Sequence, residues 1–175
     1  MTNSRQRTRD LAGVVGLMIF SLVAGLVLNH FRAKPLALAY KSPEQRLQVE
    51  LVQLVSGPPL SSFPVSTISL DQFRQIVHTK SELILDARDS LYYRQGHVPG
   101  ALNLSRDNFG RDYLHLRSML EKDKKRPIIV YCSGGTCHDS KMVAQALLSL
   151  GFTNVRIFPG GWEQWAADGL PAQKG

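Results

Sequence analysis

Between Asp10 and Arg32 the chain carries no Asp, Glu, Lys or Arg for 21 residues, and the run 11–28 inside that gap is almost wholly apolar. An α-helix rises about 1.5 Å per residue, so such a stretch crosses the ~30 Å hydrocarbon core of a bilayer. A helix of that length buried in a soluble core would keep a polar stripe, and none is present. Residues 11–31 are therefore expected to form a transmembrane helix behind a basic N-terminal tail, 1–10, that holds Arg5, Arg7 and Arg9. A cleaved secretory signal is the competing reading, because Ala37-Leu38-Ala39 has the small-x-small form that a signal peptidase cuts. The apolar run exceeds the ~7 to 15 residues of a signal core, which favours an anchor. Basic residues flank both ends in similar number, so charge asymmetry discriminates little between orientations. The adopted expectation is a single-pass chain with a cytoplasmic N-terminus and its globular part outside the cytoplasm, in a periplasm if the source is bacterial.

With that block set aside, 175 residues leave room for one ordinary domain and one site. The formal net charge of +7 invites a nucleic-acid reading. Its distribution does not support one: residues 1–64 hold seven Lys/Arg against three Asp/Glu, and residues 65–175 hold fourteen against eleven. The densest basic cluster, Lys122, Lys124, Lys125 and Arg126, also contains Asp123 and precedes Pro127, which reads as a solvated turn. No nucleic acid is expected as a partner.

Residues 32–64 read as a linker with a short amphipathic helix, since Leu47, Leu51, Leu54 and Val55 fall at helical spacing. That helix has two destinations, the membrane surface or the domain, and packing on the domain is the ordinary outcome. Gly57-Pro58-Pro59 and Ser61-Ser62 break it and mark a boundary. From 65 to 175, short runs rich in branched residues alternate with helical patterns. Strands are expected at 67–69, 83–86, 101–104, 128–131 and 155–158, and helices at 70–78, 113–120, 140–150 and 162–167. Ser69 and Gln72 have capping-box spacing, while Gly151 and Gly169 stand where helices stop. This alternation implies a mainly parallel sheet covered by helices on both faces, with ligands beyond the carboxyl ends of the strands.

The most informative place is Ile128-Ile129-Val130-Tyr131 running into Cys132-Ser133-Gly134-Gly135-Thr136-Cys137-His138-Asp139 and then a helix. Nucleophilic sulfur chemistry needs a thiolate, and a free cysteine of pKa ~8.5 is mostly thiol at neutral pH. A loop that wraps a helix N-terminus favours the anion through unpaired N–H groups and the helix dipole. Gly134 and Gly135 permit the turns that aim successive N–H groups at one point. Ser133, Gly134, Gly135, Thr136 and His138 are thus the expected anion-binding loop around Cys132. The bland alternative is an inert cysteine at a strand end. The chain has only two cysteines, which is no disulfide scaffold; a close pair in one loop points to thiol chemistry. Cys137 is the second expected catalytic residue: on a curled loop it could come within the ~4.4 to 6.8 Å Cα separation of a disulfide and resolve an intermediate on Cys132. A thiol that merely lines the loop is the equal alternative. His138 is either a cation beside the anion or an exposed loop residue, and Asp139 reads as a helix cap beside Ser140. Cys132, Cys137 and His138 lack a fourth ligand, so no metal is expected, and no cofactor is called for.

The stretches "ISLDQF", "LILDARDSLYYRQGHVPGALNL", "IIVYCSGGTCHDS" and "GFTNVRIFPGGWEQWAADGLP" together resemble the rhodanese family over most of residues 66–171. That resemblance implies a three-layer α/β fold with a five-stranded parallel sheet. It also implies a ping-pong sulfurtransferase in which Cys132 accepts a sulfane sulfur as a persulfide and passes it to a thiol or other acceptor. A thiol-disulfide or persulfide redox enzyme using Cys132 and Cys137 is the nearest rival, and a non-catalytic rhodanese module bound to a membrane protein partner is the third reading. The loop departs from the family pattern, in which the cysteine is followed three residues on by glycine, then arginine and serine. Gly135 fits, Cys137 occupies the arginine position, and Ser140 enters the helix about two residues late. Without a planar cation to grip sulfonate oxygens, thiosulfate is expected to be a poor donor. The missing arginine also argues against phosphatase chemistry of the kind that related longer loops support.

Asp86 and Arg88 end the second expected strand, near the site. Their resemblance to an Asp-x-Arg stretch of the family implies mainly a structural pairing that supports the loop. His97 is expected to bond backbone in a turn, and Trp162 and Trp165 to be core or cleft wall.

Overall fold

A computed structural model describes residues 2–32, 41–56 and 65–175. The chain divides into two compact units, residues 1–41 and 42–175. The first contains α1 (Thr2–His30), whose apolar side chains, such as Leu17, Met18 and Phe20, are exposed. The stretch Arg9–His30 within it is long and apolar enough to cross a membrane. The Ala37-Leu38-Ala39 site and the breaker residues Gly57-Pro58-Pro59 and Ser61-Ser62 lie outside the described residues.

In the second unit, α2 (Pro43–Ser56) opens on a reciprocal cap: Gln45 N donates to Ser42 Oγ at 3.1 Å and Ser42 N to Gln45 Oε1 at 3.0 Å. It is followed by β1 (Ser66–Thr67), α3 (Leu70–Thr79), β2 (Leu83–Asp86), α4 (Ser90–Gln95), β3 (Leu102–Asn103), α5 (Phe109–Leu120), β4 (Ile128–Tyr131), α6 (Asp139–Ser149), β5 (Val155–Phe158) and α7 (Gly161–Ala167). The five strands are all parallel, in the order β1-β5-β4-β2-β3, with Asp86 level with Tyr131 and Tyr131 level with Phe158. The expected α/β fold with a five-stranded parallel sheet is what the chain adopts.

Period-two alternation divides the core between the sheet's faces. Leu83, Leu85, Ile128, Val130, Val155 and Ile157 pack with residues of α2, α5 and α6. Ile84, Ile129, Tyr131 and Phe158 pack with residues of α3 and α7. The amphipathic helix α2 lies on the domain: Leu51 and Val55 are buried among α5 and α6 residues, with Leu47 and Leu54 partly buried beside them. A close approach makes this possible, since a Cβ on Gly110 would stand 2.9 Å from Gln48 O.

Three elements of the second unit depart from the sequence expectation by more than one residue at an end. The first strand ends at Thr67; Ser69 keeps an extended backbone but its polar groups go to the cap of α3, its side chain accepting from Gln72 N while Gln72 Oε1 accepts from Ser69 N at 2.9 Å. Helix α5 starts four residues earlier than expected, at Phe109, which is fully buried. Helix α4 was not expected; it is one short turn and more, started by Asp89, whose carboxylate accepts from Leu91 N at 2.8 Å.

Candidate functional site

Strand β4 runs through the centre of the sheet, and Cys132 is the first residue past its carboxyl end. The side chains at 128, 130 and 132 share one face, so Cys132 continues the row that meets α6, whereas Tyr131 points to the α3 and α7 side. Its thiol position is only 3% exposed, at the base of the loop that leads to α6. The sulfur lies 3.4 Å from Ser140 Oγ, where the buried Ser140 hydroxyl can donate to it. Among the described residues no acceptor takes the N–H groups of Asp139, Ser140 and Lys141, the first turn of α6. An anion on Cys132 therefore faces a hydroxyl and the positive end of a helix.

The loop holds its curl through two features. Gly134 and Gly135 take φ of +116° and +57°, and Cys137 N donates to Gly134 O at 3.0 Å. From the other side, the turn entering α7 clamps the backbone: Trp162 N donates to Cys132 O and Glu163 N to Ser133 O, both at 2.8 Å. Gly161, at φ +59°, sits so close that a Cβ would strike Cys132 O and Gly134 N. Ser133 and Cys137 are half-buried, and Gly135, Thr136 and His138 are exposed at the rim.

Cys137 folds back over Cys132. The two sulfurs are in bonding contact as a disulfide, with Cα atoms 6.6 Å apart. His138 occupies the N-cap position of α6 but makes no side-chain capping bond. Asp139, expected as a cap, is instead the first helical residue, and its carboxylate faces the Arg106 guanidinium with Nε at 3.9 Å. Burial raises the Asp139 pKa above the ordinary carboxylate value and the Asp107 charge adds to this, against the opposing pull of Arg106 and His138.

Arg106 and Ser140 are neighbours of the site that sequence reasoning did not assign to it. Arg106 comes from the segment between β3 and α5, where no motif marks it; only the pairing of β3 beside β2 carries it towards α6. Ser140 was recognised as a helix-entry residue, and its contact with the sulfur depends on how the loop curls.

Asp86 and Arg88 lie under the neighbouring strand end as a buried pair. Arg88 Nε donates to Asp86 Oδ1 at 3.0 Å and Nη2 to Oδ2 at 2.6 Å, while Tyr131 Oη donates to the same Oδ2 at 2.6 Å. Arg88 Nη2 also donates to Gly96 O at 2.8 Å, and its guanidinium lies 4.8 Å from the Trp162 ring centroid. Burial alone would lower the Arg88 pKa, but the hydrogen bond and charge of Asp86, helped by Tyr131, raise it. Burial and the Asp86 charge push the Tyr131 phenol far up, so it stays a neutral donor. Among the described residues the Asp86 and Arg88 side chains make no hydrogen bond to Cys132; the cluster ties β2 to the Trp162 turn, and that turn holds the Cys132 carbonyl. His97 bonds the backbone, Nδ1 to Tyr93 O at 2.9 Å, and Trp165 is core, its Nε1 donating to Pro171 O at 2.8 Å.

A family model described as the rhodanese-like domain matches residues 69–168. The chain is 34% identical over 106 residues to a thiosulfate sulfurtransferase GlpE from Shewanella oneidensis, a match covering 61% of this chain and 95% of that protein. It is 36% identical over 94 residues to a GlpE of the same description from Coxiella burnetii, covering 53% of this chain and 79% of that one. Among solved structures, the rhodanese-like domain of the Anabaena sp. Alr3790 protein aligns with a TM-score of 0.52 at 26% identity, covering 62% of this chain and 78% of that chain.

Proposed function

The chain belongs to the rhodanese-like domain family, and on that premise we propose that it is a sulfurtransferase in which Cys132 takes a sulfane sulfur from a donor, carries it as a persulfide, and yields it to a thiol acceptor. The observation that carries this reading is the setting of the Cys132 sulfur, 3.4 Å from Ser140 Oγ at the start of α6. In the first half-reaction the Cys132 thiolate attacks the donor's sulfane sulfur, forming an S–S bond as the donor leaves with the electron pair. The second half-reaction reverses this with an acceptor thiolate. Both need the sulfur as an anion, and the hydroxyl together with the unpaired N–H groups of α6 lowers its cost. Ser133, Gly134, Gly135, Thr136 and His138 form the loop that receives the donor. Asp86 and Arg88 support it from below.

The relatives described as thiosulfate sulfurtransferases make thiosulfate a donor to test. This loop has a thiol, Cys137, where the family pattern has an arginine, so a persulfide or polysulfide donor is expected to load Cys132 faster than thiosulfate does. We place the span at residues 11–31, which tethers the catalytic domain, 65–175, to a membrane on its extracytoplasmic side.

The test is intact-mass spectrometry of the reduced Cys137→Ser protein, which leaves Cys132 as its single cysteine, after exposure to thiosulfate, polysulfide or glutathione persulfide. A gain of one sulfur that maps to Cys132 and is removed by cyanide is the expected result. A folded protein that takes up no sulfur from any of the three donors would overturn the reading and leave a binding module.

A further inference from the structure

Sulfur transfer as set out above leaves Cys137 without a task, although its sulfur is in bonding contact with that of Cys132 and the two Cα atoms stand 6.6 Å apart, inside the ~4.4 to 6.8 Å that a disulfide spans. The atom that Cys137 reaches is Cys132 Sγ itself. In a persulfide this is the inner sulfur, the one still bonded to Cβ, and a thiolate attacking there expels the outer sulfur instead of accepting it. We infer that Cys137 is the internal reductant of the Cys132 persulfide, so that the enzyme releases its sulfur as hydrosulfide and closes the Cys132–Cys137 disulfide. This rests on the reading of Cys132 as the sulfur carrier and names the fate of the sulfur it carries.

The step balances within the chain. The Cys137 thiol gives its proton to solvent, and its thiolate places an electron pair on Cys132 Sγ. The bond between the two Sγ atoms forms as the bond from Cys132 Sγ to the outer sulfur breaks, and that sulfur leaves with the bonding pair as hydrosulfide. The sulfane sulfur is reduced by two electrons, and the two cysteines together are oxidised by two, ending as a disulfide.

A second turnover requires a dithiol reductant, which restores both thiols by two exchange steps and departs as its own disulfide. Burial decides which sulfur it meets. Cys132 is 3% exposed and Cys137 only half-buried, so the incoming thiolate forms its mixed disulfide with Cys137. Cys132 is then the leaving group, as a thiolate beside Ser140 Oγ and the start of α6. The more stable this leaving thiolate, the faster the exchange. The position that resemblance assigns to an anion-gripping arginine thus serves to discharge the carried sulfur. The reaction supplying the substrate must be one that makes sulfane sulfur, and the reaction consuming the product must take up sulfide.

The full-length protein in detergent, reduced and freed of reductant, is mixed with glutathione persulfide, and sulfide and intact mass are followed together. The wild type is expected to release stoichiometric sulfide and to end two hydrogens lighter than its reduced form, with no added sulfur; a dithiol such as dithiothreitol then makes release catalytic. Cys137→Ser should keep one sulfur on Cys132, with release slower by on the order of 10²-fold for want of a held intramolecular thiol. Cys132→Ser, the blank for sulfide shed by the donor, should release none above buffer. Should the wild type and Cys137→Ser hold the persulfide equally long, or should the added sulfur be found on Cys137, the internal reduction is overturned and sulfur carriage by Cys132 stands. If Cys137→Ser, folded by circular dichroism, takes up no sulfur, carriage itself fails and this step with it.

Discussion

Asp86 has no exposed surface and pairs with a single guanidinium among the described residues, that of Arg88. Removing one member of such a pair strands the other, a loss of about 3 to 5 kcal/mol, whereas replacing both with apolar groups is often neutral. Arg88→Met should therefore unfold at markedly lower urea concentration than the wild type, and Asp86→Leu combined with Arg88→Met should recover much of the difference. Asp139 makes a contrasting case, because its folded-state pKa lies above the ordinary carboxylate value, chiefly through burial. In the pH window between the two values the folded chain holds a proton that the unfolded chain lacks, so this residue's contribution to stability falls as pH rises through that window. Asp139→Asn removes the penalty: its stability relative to the wild type should be greatest near neutral pH and should fade as the pH drops below the carboxylate range. Deleting that negative charge at the start of α6 should also lower the pKa of the reduced Cys132 thiol, read as the midpoint of alkylation rate against pH.

Helix α2 illustrates what an element's spacing reveals. Leu47, Leu51, Leu54 and Val55 define an apolar face that any helical projection shows, so the helix was legible in the sequence. Its docking site was not, since that depends on Gly110 leaving room for the Gln48 backbone. Leu51 is fully buried against α5 and α6, and Leu51→Ala should cost about 2 to 5 kcal/mol by urea denaturation. A loss below ~0.5 kcal/mol would mean that α2 is not seated on the domain in solution. Helix α4 shows the opposite case. Six residues with no buried member leave no periodic signal to read, and the helix exists because Asp89 caps it and Arg88 and Tyr93 bond the turns around it, Tyr93 Oη donating to Ala101 O at 2.8 Å.

On the scale of the whole chain, α1 is long and apolar enough over Arg9–His30 to cross a membrane, and its apolar side chains are expected to be covered by lipid. The full-length protein should pellet with membranes, resist extraction by salt or carbonate, and dissolve in detergent; release by carbonate would exclude a spanning anchor. The sequence by itself determined the parallel α/β layering, the cysteine at the end of a strand and the apolar N-terminal helix, because each is written in local periodicity or in an unbroken run of one residue class. Only the tertiary structure decided that Cys137 meets the inner sulfur position of Cys132, that Ser140 and Arg106 stand beside the loop, and that the Gly160-Gly161 turn clamps its backbone. Those contacts join positions from different elements, or from opposite sides of one curled loop, and their geometry is set by how the layers pack, which no local pattern records.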